Sequence, residues 1–141
     1  MKAIYTAHAA TTGGREGHGK SDDGKVDVKL SPPKEMGGNG AGTNPEQLFA
    51  VGYSGCYLGA IRYVAGKLKK PLTISDDASV TAHVTLGSRT DKKGFGIGVK
   101  LDVSLPGLTK AQASSLTKKA HIVCPYSHSI KKNVKVVTKI V

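Results

Sequence analysis

The sequence predicts an α+β fold in which mainly antiparallel sheet accompanies one long helix. Three observations support this prediction. A nearly unbroken apolar run lies in the middle of the chain, segments with strand-like alternation come in pairs before and after it, and two helical segments stand together ahead of a last strand. Grouped strands and helices favour an α+β fold over a parallel βαβ arrangement. Because the chain has 141 residues, we also predict a single domain over residues 1–141.

Two strands and their connections are predicted before the apolar run. Residues Lys2 to Thr11 alternate weakly and are rich in Ala and Thr, which favours a first strand, and Gly13 to Gly19 follows as a loop that contains Arg15. Residues Ser21 to Gly24 have the composition of a turn, with Gly24 available for a positive φ. The alternating apolar residues from Lys25 to Ser31 then predict a half-buried strand.

The apolar run, from Thr43 to Lys70, is predicted to be one long helix. Asn44 is a suitable cap, Pro45 suits the first helical position, and Gln47 can return a hydrogen bond to the cap. From Leu48 to Ile61 the only polar side chains are Tyr53, Ser54, Cys56 and Tyr57. Such a helix should be buried on most sides.

A membrane-spanning role for this helix is disfavoured by its composition. A spanning helix needs about 20 consecutive apolar residues, whereas this one carries Arg62 and four glycines. Gly55 and Gly59 instead form a face of small residues on which another backbone can approach closely.

The second half of the chain repeats the pairing of strands. Alternation over Ser79 to Leu86 and over Phe95 to Leu105 predicts a hairpin. A helix is predicted from Lys110 to Ile122, capped by the preceding threonine, and a short helix from Tyr126 to Lys132. The chain is predicted to end with a strand from Val134 to Val141.

Composition excludes some classes of function. The net charge is +11, but most lysines are scattered. Two groups cluster, at positions 67–70 and 131–139, and no aromatic residues lie within them, which disfavours specific nucleic-acid binding. The N-terminal residues lack the apolar region of a signal peptide, so we predict a cytoplasmic protein. In a reducing compartment, two cysteines serve chemistry, metal binding or packing more often than a structural disulfide.

The two cysteines, Cys56 and Cys124, are the candidate reactive groups. The simplest alternative is that both are buried and inert, since free cysteine often packs like a small apolar residue. Cys124 precedes Pro125 at a predicted helix start, where backbone amides and the helix dipole favour an anion. Cys56 has no such help in mid-helix, and desolvation there would raise its pKa. A reactive Cys56 therefore needs a cation from elsewhere, such as Arg15.

Two other kinds of site remain open on the residues alone. His121, Cys124 and His128 have a spacing that could bind zinc, with Cys56 as a fourth ligand. A cysteine hydrolase would use Cys56 as nucleophile and His83 or His121 as base, but no local motif supports it.

Four motifs together resemble a known family. They are TGGREG at 12–17, LSPPKEMGG at 30–38, GTNPEQLFAVGYSGCY at 42–57 and CPYSHSI at 124–130. Taken together they closely resemble the organic hydroperoxide resistance proteins of the OsmC-like family, and the resemblance spans nearly the whole chain. It implies the OsmC-like fold, an intertwined homodimer in which antiparallel sheets wrap central helices.

The resemblance also implies a function and a site. The expected activity is reduction of organic hydroperoxides, with no bound cofactor and with a lipoylated protein or another dihydrolipoyl-type dithiol as electron donor. Cys56 is then the peroxidatic cysteine and Cys124 the resolving cysteine. Arg15 is the guanidinium that activates the thiolate, and Glu46 is the carboxylate that holds the arginine.

Physical chemistry is consistent with these implied roles. One arginine can favour a thiolate and also stabilise a departing alkoxide, and a carboxylate can fix its direction. Leu48, Phe49, Val51, Tyr53 and Tyr57 suggest an apolar access pocket, and therefore alkyl or fatty-acid hydroperoxides. In a continuous helix, however, Glu46 and Cys56 would be about 15 Å apart along the axis. Either the helix breaks near Gly52, or a second copy of the chain supplies the arginine and the glutamate across a two-fold axis, and we expect the second arrangement.

Overall fold

The computed structural model describes all residues from Met1 to Val141. Its internal contacts divide the chain into two compact units, Met1–Leu48 and Phe49–Val141. The division falls near the start of the long helix α1, Pro45–Gly66. The single domain over residues 1–141 stays a prediction.

The first unit contains a three-stranded antiparallel sheet. Its strands are β1, Ala9–Thr12, β2, His18–Ser21, and β3, Asp27–Lys29, in the order β1-β2-β3. A 3₁₀ turn, Gly14–Glu16, connects β1 to β2. The turn between β2 and β3 is the predicted one, and Gly24 has a φ of 71° there.

Two predictions for this unit are wrong in detail. The first strand occupies only the end of Lys2 to Thr11, and the loop predicted from Gly13 to Gly19 holds the 3₁₀ turn and the first residues of β2. The sequence of β2 has no apolar alternation, so pairing with a neighbour on each side makes it a strand. The connection is tight, because a Cβ on Gly17 would lie 1.7 Å from the Thr12 carbonyl oxygen.

Helix α1 begins as predicted and ends earlier. The Asn44 side chain accepts from the Gln47 amide at 2.9 Å, and the Gln47 side chain accepts from the Asn44 amide at 3.1 Å. The helix ends at Gly66 rather than at Lys70, since Gly66 and the downstream Pro71 both disfavour its continuation. No helix of the structure is both long enough and apolar enough to cross a membrane.

The second unit contains the other sheet. Strands β4, Ser79–Ser88, and β5, Phe95–Ser104, form the predicted antiparallel hairpin. Strand β6, Val136–Ile140, lies parallel to β5 and completes the order β4-β5-β6. The connection from β5 to β6 is a crossover through two helices, as a parallel pair requires.

Helices α2, Lys110–Val123, and α3, Pro125–Ile130, follow each other with one residue between them. Thr109 and Gln112 cap α2 with reciprocal hydrogen bonds. The core of this unit is made of side chains from α1, β5 and α2, and its largest fully buried members are Tyr53, Tyr57, Ile61, Leu101, Val103 and Leu116. Helix α1 is expected from its sequence to be buried on most sides, but in the single chain Val51 is 73% exposed and Tyr63 is 57% exposed.

Candidate active site

The two cysteines lie in contact in the second unit. Cys56 is on α1, and Cys124 is the single residue between α2 and α3, where it caps the end of one helix and the start of the next. Their Sγ atoms are 3.2 Å apart, and both thiols are free. A short movement would therefore suffice to form a disulfide between residues that are 68 positions apart in sequence.

The environments of the two thiols differ. Cys124 is fully buried, whereas Cys56 is only partly buried. Burial raises the pKa of the Cys56 thiol, as expected from the sequence, and the neighbouring Cys124 raises it further. Interaction with the backbone amide of Tyr126 lowers this pKa. Cys56 therefore does receive help from a helix start, which the sequence reading missed.

Arg15 and Glu46 form an ion pair in the first unit. Arg15 Nη1 donates to Glu46 Oε2 at 2.9 Å and Nη2 donates to Oε1 at 2.6 Å. Arg15 lies in the 3₁₀ turn and Glu46 in the first turn of α1. The guanidinium holds the pKa of the Glu46 carboxyl below its usual value. The pair has the planar, two-bond geometry that fixes the direction of an arginine.

Aromatic rings pack around the start of α3. The rings of Phe49, Tyr53 and Tyr126 have centroids 5.8 Å apart in each pair. A Cβ on Gly52 would lie 2.9 Å from the Tyr126 hydroxyl oxygen, so the absence of a side chain at Gly52 leaves room for that ring. Sequence reasoning missed Tyr126 and Gly52, because only their distance in space connects them.

The access pocket stays a prediction, and the residues expected to line it differ in their exposure. Leu48 and Val51 are exposed and Phe49 is partly buried, whereas Tyr53 and Tyr57 are fully buried. The Tyr57 hydroxyl donates to the Thr117 carbonyl at 2.8 Å, inside the core. Tyr53 borders a different cavity of about 700 Å³, whose other lining residues are His121, Ile122, Ser127, His128, Lys131, Val134 and Val136.

The residues of the two alternative sites do not assemble. His121 is hydrogen-bonded through both ring nitrogens, to Ser127 and to Thr138, and no group of three or more His, Cys, Asp and Glu side chains is placed to hold a metal ion. His83 pairs with Asp102 at 2.9 Å on the hairpin. Neither histidine has a hydrogen bond to a cysteine, which the base of a cysteine hydrolase requires.

Comparison with known proteins identifies the class to which this fold belongs. The family model described as OsmC-like protein matches residues 37–139. The chain belongs to the OsmC-like family.

Its relatives within that family carry a more particular name. An organic hydroperoxide resistance protein of Xanthomonas axonopodis pv. citri is 50% identical over 138 residues, covering 96% of this chain and 93% of the relative. The organic hydroperoxide resistance protein OhrB of Bacillus subtilis is 40% identical over 134 residues, covering 95% and 96%. The resemblance seen in the four motifs is thereby confirmed.

Solved structures agree with the fold. A crystal structure of an organic hydroperoxide resistance protein from Legionella pneumophila superposes with a TM-score of 0.91 at 45% identity, covering 99% of this chain and 98% of that one. The structure of Bacillus subtilis OhrB gives a TM-score of 0.88 at 38% identity, covering 99% and 100%. The predicted α+β, OsmC-like fold is confirmed, while the homodimer stays a prediction.

Proposed function

We propose that this protein is a cysteine peroxidase that reduces organic hydroperoxides to alcohols, with Cys56 as the peroxidatic and Cys124 as the resolving residue. The observation that carries the proposal is the 3.2 Å separation of the two Sγ atoms. One thiol is partly accessible and the other is fully buried. This is the arrangement that a reaction through an intrachain disulfide requires.

The first step is attack of the Cys56 thiolate on the terminal peroxide oxygen. A bond forms between Sγ and that oxygen, the O–O bond breaks, and the departing alkoxide takes a proton to become an alcohol. Arg15 would favour the thiolate and stabilise the developing alkoxide, and Glu46 would fix the direction of the guanidinium through its two hydrogen bonds.

The second step consumes the sulfenic acid left on Cys56. The Cys124 sulfur attacks the Cys56 Sγ, a disulfide forms, and the hydroxyl group leaves with the thiol proton as water. A dithiol of the dihydrolipoyl type, carried by a lipoylated protein, would then reduce the disulfide by thiol exchange and close its own ring. The proposal includes a cytoplasmic location, where a reducing environment keeps both thiols available.

A homodimer would bring the ion pair to the thiols. Helix α1 is unbroken from Pro45 to Gly66, so its rise separates Glu46 from Cys56 by about 15 Å. The partner's ion pair is therefore the better candidate to serve Cys56. Gly55 and Gly59 support this arrangement, since both are exposed and a Cβ added at either would meet nothing within 4 Å in its own chain.

Apolar hydroperoxides are the expected substrates. The Phe49 ring packs against Tyr126, which lies two positions after Cys124, with ring centroids 5.8 Å apart. Leu48 and Val51 are exposed in the part of α1 that precedes Cys56. Such surroundings favour an alkyl or fatty-acid chain over hydrogen peroxide, because burying the chain removes apolar area from water. The named relatives, which are organic hydroperoxide resistance proteins, support the same substrate class.

Anaerobic thiol counting tests the proposal. One equivalent of an alkyl hydroperoxide should remove both thiols, release one equivalent of alcohol and give a peptide joined by a Cys56–Cys124 disulfide. Loss of one thiol, or a disulfide between chains, would contradict the mechanism.

Two serine variants serve as controls for this experiment. Cys124→Ser should still consume peroxide once and accumulate a sulfenic acid that a dimedone-type reagent traps on Cys56. Cys56→Ser should not react, although it retains the other thiol. Reaction of Cys56→Ser at the wild-type rate would assign the peroxidatic role to Cys124 instead.

A further inference from the structure

A partly buried hydrogen-bonded network lies beside the thiols and connects four elements of the second unit. The Tyr53 hydroxyl on α1 is 2.8 Å from Ser127 Oγ on α3. The same Oγ is 3.0 Å from His121 Nδ1 on α2, and His121 Nε2 is 2.7 Å from Thr138 Oγ1 on β6. Tyr53 and Ser127 are both buried, so each hydroxyl depends on these partners.

The hydrogen bonds of the network have one direction in which both buried hydroxyl groups, of Tyr53 and of Ser127, donate to an acceptor within the network. If Tyr53 donates to Ser127 and Ser127 donates to His121 Nδ1, then His121 donates from Nε2 to Thr138. Reversing the first bond would leave the Tyr53 proton without an acceptor in the network, and reversing the second would do the same to the Ser127 proton. The neutral imidazole that this pattern requires fits its burial, which lowers the pKa of His121.

The network bridges the boundary between α2 and α3, where Cys124 lies. His121 is in the last turn of α2 and Ser127 in the first turn of α3, so the bond between them joins the two helices across Cys124 and Pro125. Proline has no amide hydrogen, and therefore the backbone bond that would continue the helix is lost at that position. The side-chain bond from His121 to Ser127 supplies a connection in its place, and Tyr53 ties the same point to the helix of Cys56.

We propose that His121, acting through Ser127, is a positioning residue for the resolving thiol. It holds the start of α3 so that Cys124 remains within reach of oxidised Cys56. The inference rests on the proposed function, because it concerns the fate of the sulfenic acid. That acid either loses its hydroxyl as water when Cys124 attacks, or reacts with a second hydroperoxide to give a sulfinic acid and an alcohol. The network favours the first outcome.

The test measures how the sulfenic acid divides between these outcomes. Wild type, Ser127→Ala, Tyr53→Phe and His121→Ala are treated with increasing alkyl hydroperoxide under turnover, and sulfinic acid on Cys56 is counted by mass spectrometry. Loss of a buried hydrogen bond should raise the sulfinic fraction per turnover by about tenfold. The rate of the first oxidation of Cys56, measured in a single turnover, should change by less than about twofold. Tyr53→Phe keeps the ring and serves as the mild variant if His121→Ala does not fold.

Two amide substitutions separate positioning from general packing. The side-chain amide of Asn ends near the place of Nδ1 and that of Gln near the place of Nε2. His121→Asn should therefore restore the bond to Ser127 and a low sulfinic fraction, whereas His121→Gln should not. His128→Asn is the matched control, since this exposed histidine of α3 lies outside the network, and it should behave as wild type.

Two kinds of result would contradict the proposals, and they can be told apart. An unchanged sulfinic fraction in Ser127→Ala and Tyr53→Phe, or equal behaviour of His121→Asn and His121→Gln, would overturn the role of the network. Absence of the first oxidation in wild type would overturn the proposed function itself.

Discussion

Arg15 and Glu46 meet through two parallel hydrogen bonds. In the proposed mechanism the arginine supplies the charge and the glutamate only its direction. We expect Arg15→Ala to lower kcat/KM for an alkyl hydroperoxide by about 10²–10³-fold and Glu46→Ala by about tenfold. Arg15→Lys should also be poor, since an ammonium lacks the planar fork. Equal or reversed losses in the two alanine variants would argue against these roles.

The pH profile of Arg15→Ala provides a second test at the residue scale. Burial raises the pKa of Cys56 above its ordinary value of 9.0, so without a cation the thiolate is scarce at neutral pH and increases only as pH rises. We expect wild-type kcat/KM to be level near neutral pH, because the arginine opposes this shift. In Arg15→Ala, kcat/KM should keep rising with pH through 9. The thiolate absorbance at 240 nm should follow the same curves, and coincident curves for the two proteins would remove Arg15 from the activation of Cys56.

At the scale of elements, the cap of α1 should affect both stability and activity, whereas the cap of α2 should affect stability alone. Both helices begin with reciprocal hydrogen bonds, from Asn44 and Gln47 in α1 and from Thr109 and Gln112 in α2. Asn44→Ala and Thr109→Ala should each reduce the free energy of unfolding by about 1 kcal/mol in chemical denaturation. Only Asn44→Ala should also lower kcat/KM, because Glu46 lies in the turn that Asn44 caps. Thr109→Ala is thus the control with a matched loss of stability. If both variants lowered kcat/KM equally, the loss of activity would be due to partial unfolding and not to the position of Glu46.

The elements that could be predicted from sequence are those with local signals. The start of α1, the hairpin of β4 and β5 and the cap of α2 each depend on residues a few positions apart, and the structure has them as expected. Strand β2 was missed because its residues carry no alternation and its pairing partners lie outside the segment. A local sequence pattern indicates only the propensity of a segment, whereas a short central strand such as β2 is stabilised by pairing with the strands on either side.

The candidate site shows the same limit. The cysteine-to-cysteine contact joins positions 56 and 124, and the motifs implied it only through a resemblance to a family. The amide of Tyr126 near Cys56 and the bond of His121 to Ser127 depend on how α3 turns away from α2, which no spacing rule gives. Sequence reasoning could therefore name candidate groups but could not describe what surrounds them.

At the scale of the whole molecule, one face of α1 remains without a partner in the chain. Val51, Gly55, Gly59 and Tyr63 are exposed along it. The glycines leave space for a second backbone, and a two-fold arrangement of two such helices would place the start of one near the middle of the other. The two sites of the dimer would then be equivalent, each with the thiols of one chain and the ion pair of its partner.

Complementation between inactive chains tests this sharing of residues. Cys56→Ser is mixed with the double variant Arg15→Ala, Glu46→Ala, and the chains are unfolded, refolded together and assayed with an alkyl hydroperoxide. A heterodimer has one site without a peroxidatic thiol or an ion pair and one site that is complete. Random pairing makes half of the dimers heterodimers, so activity should recover to about a quarter of wild type per subunit. Each variant refolded alone is the control and should stay inactive. Verified heterodimers without activity would mean that each chain furnishes its own site, and α1 would then have to bend between Glu46 and Cys56 during turnover.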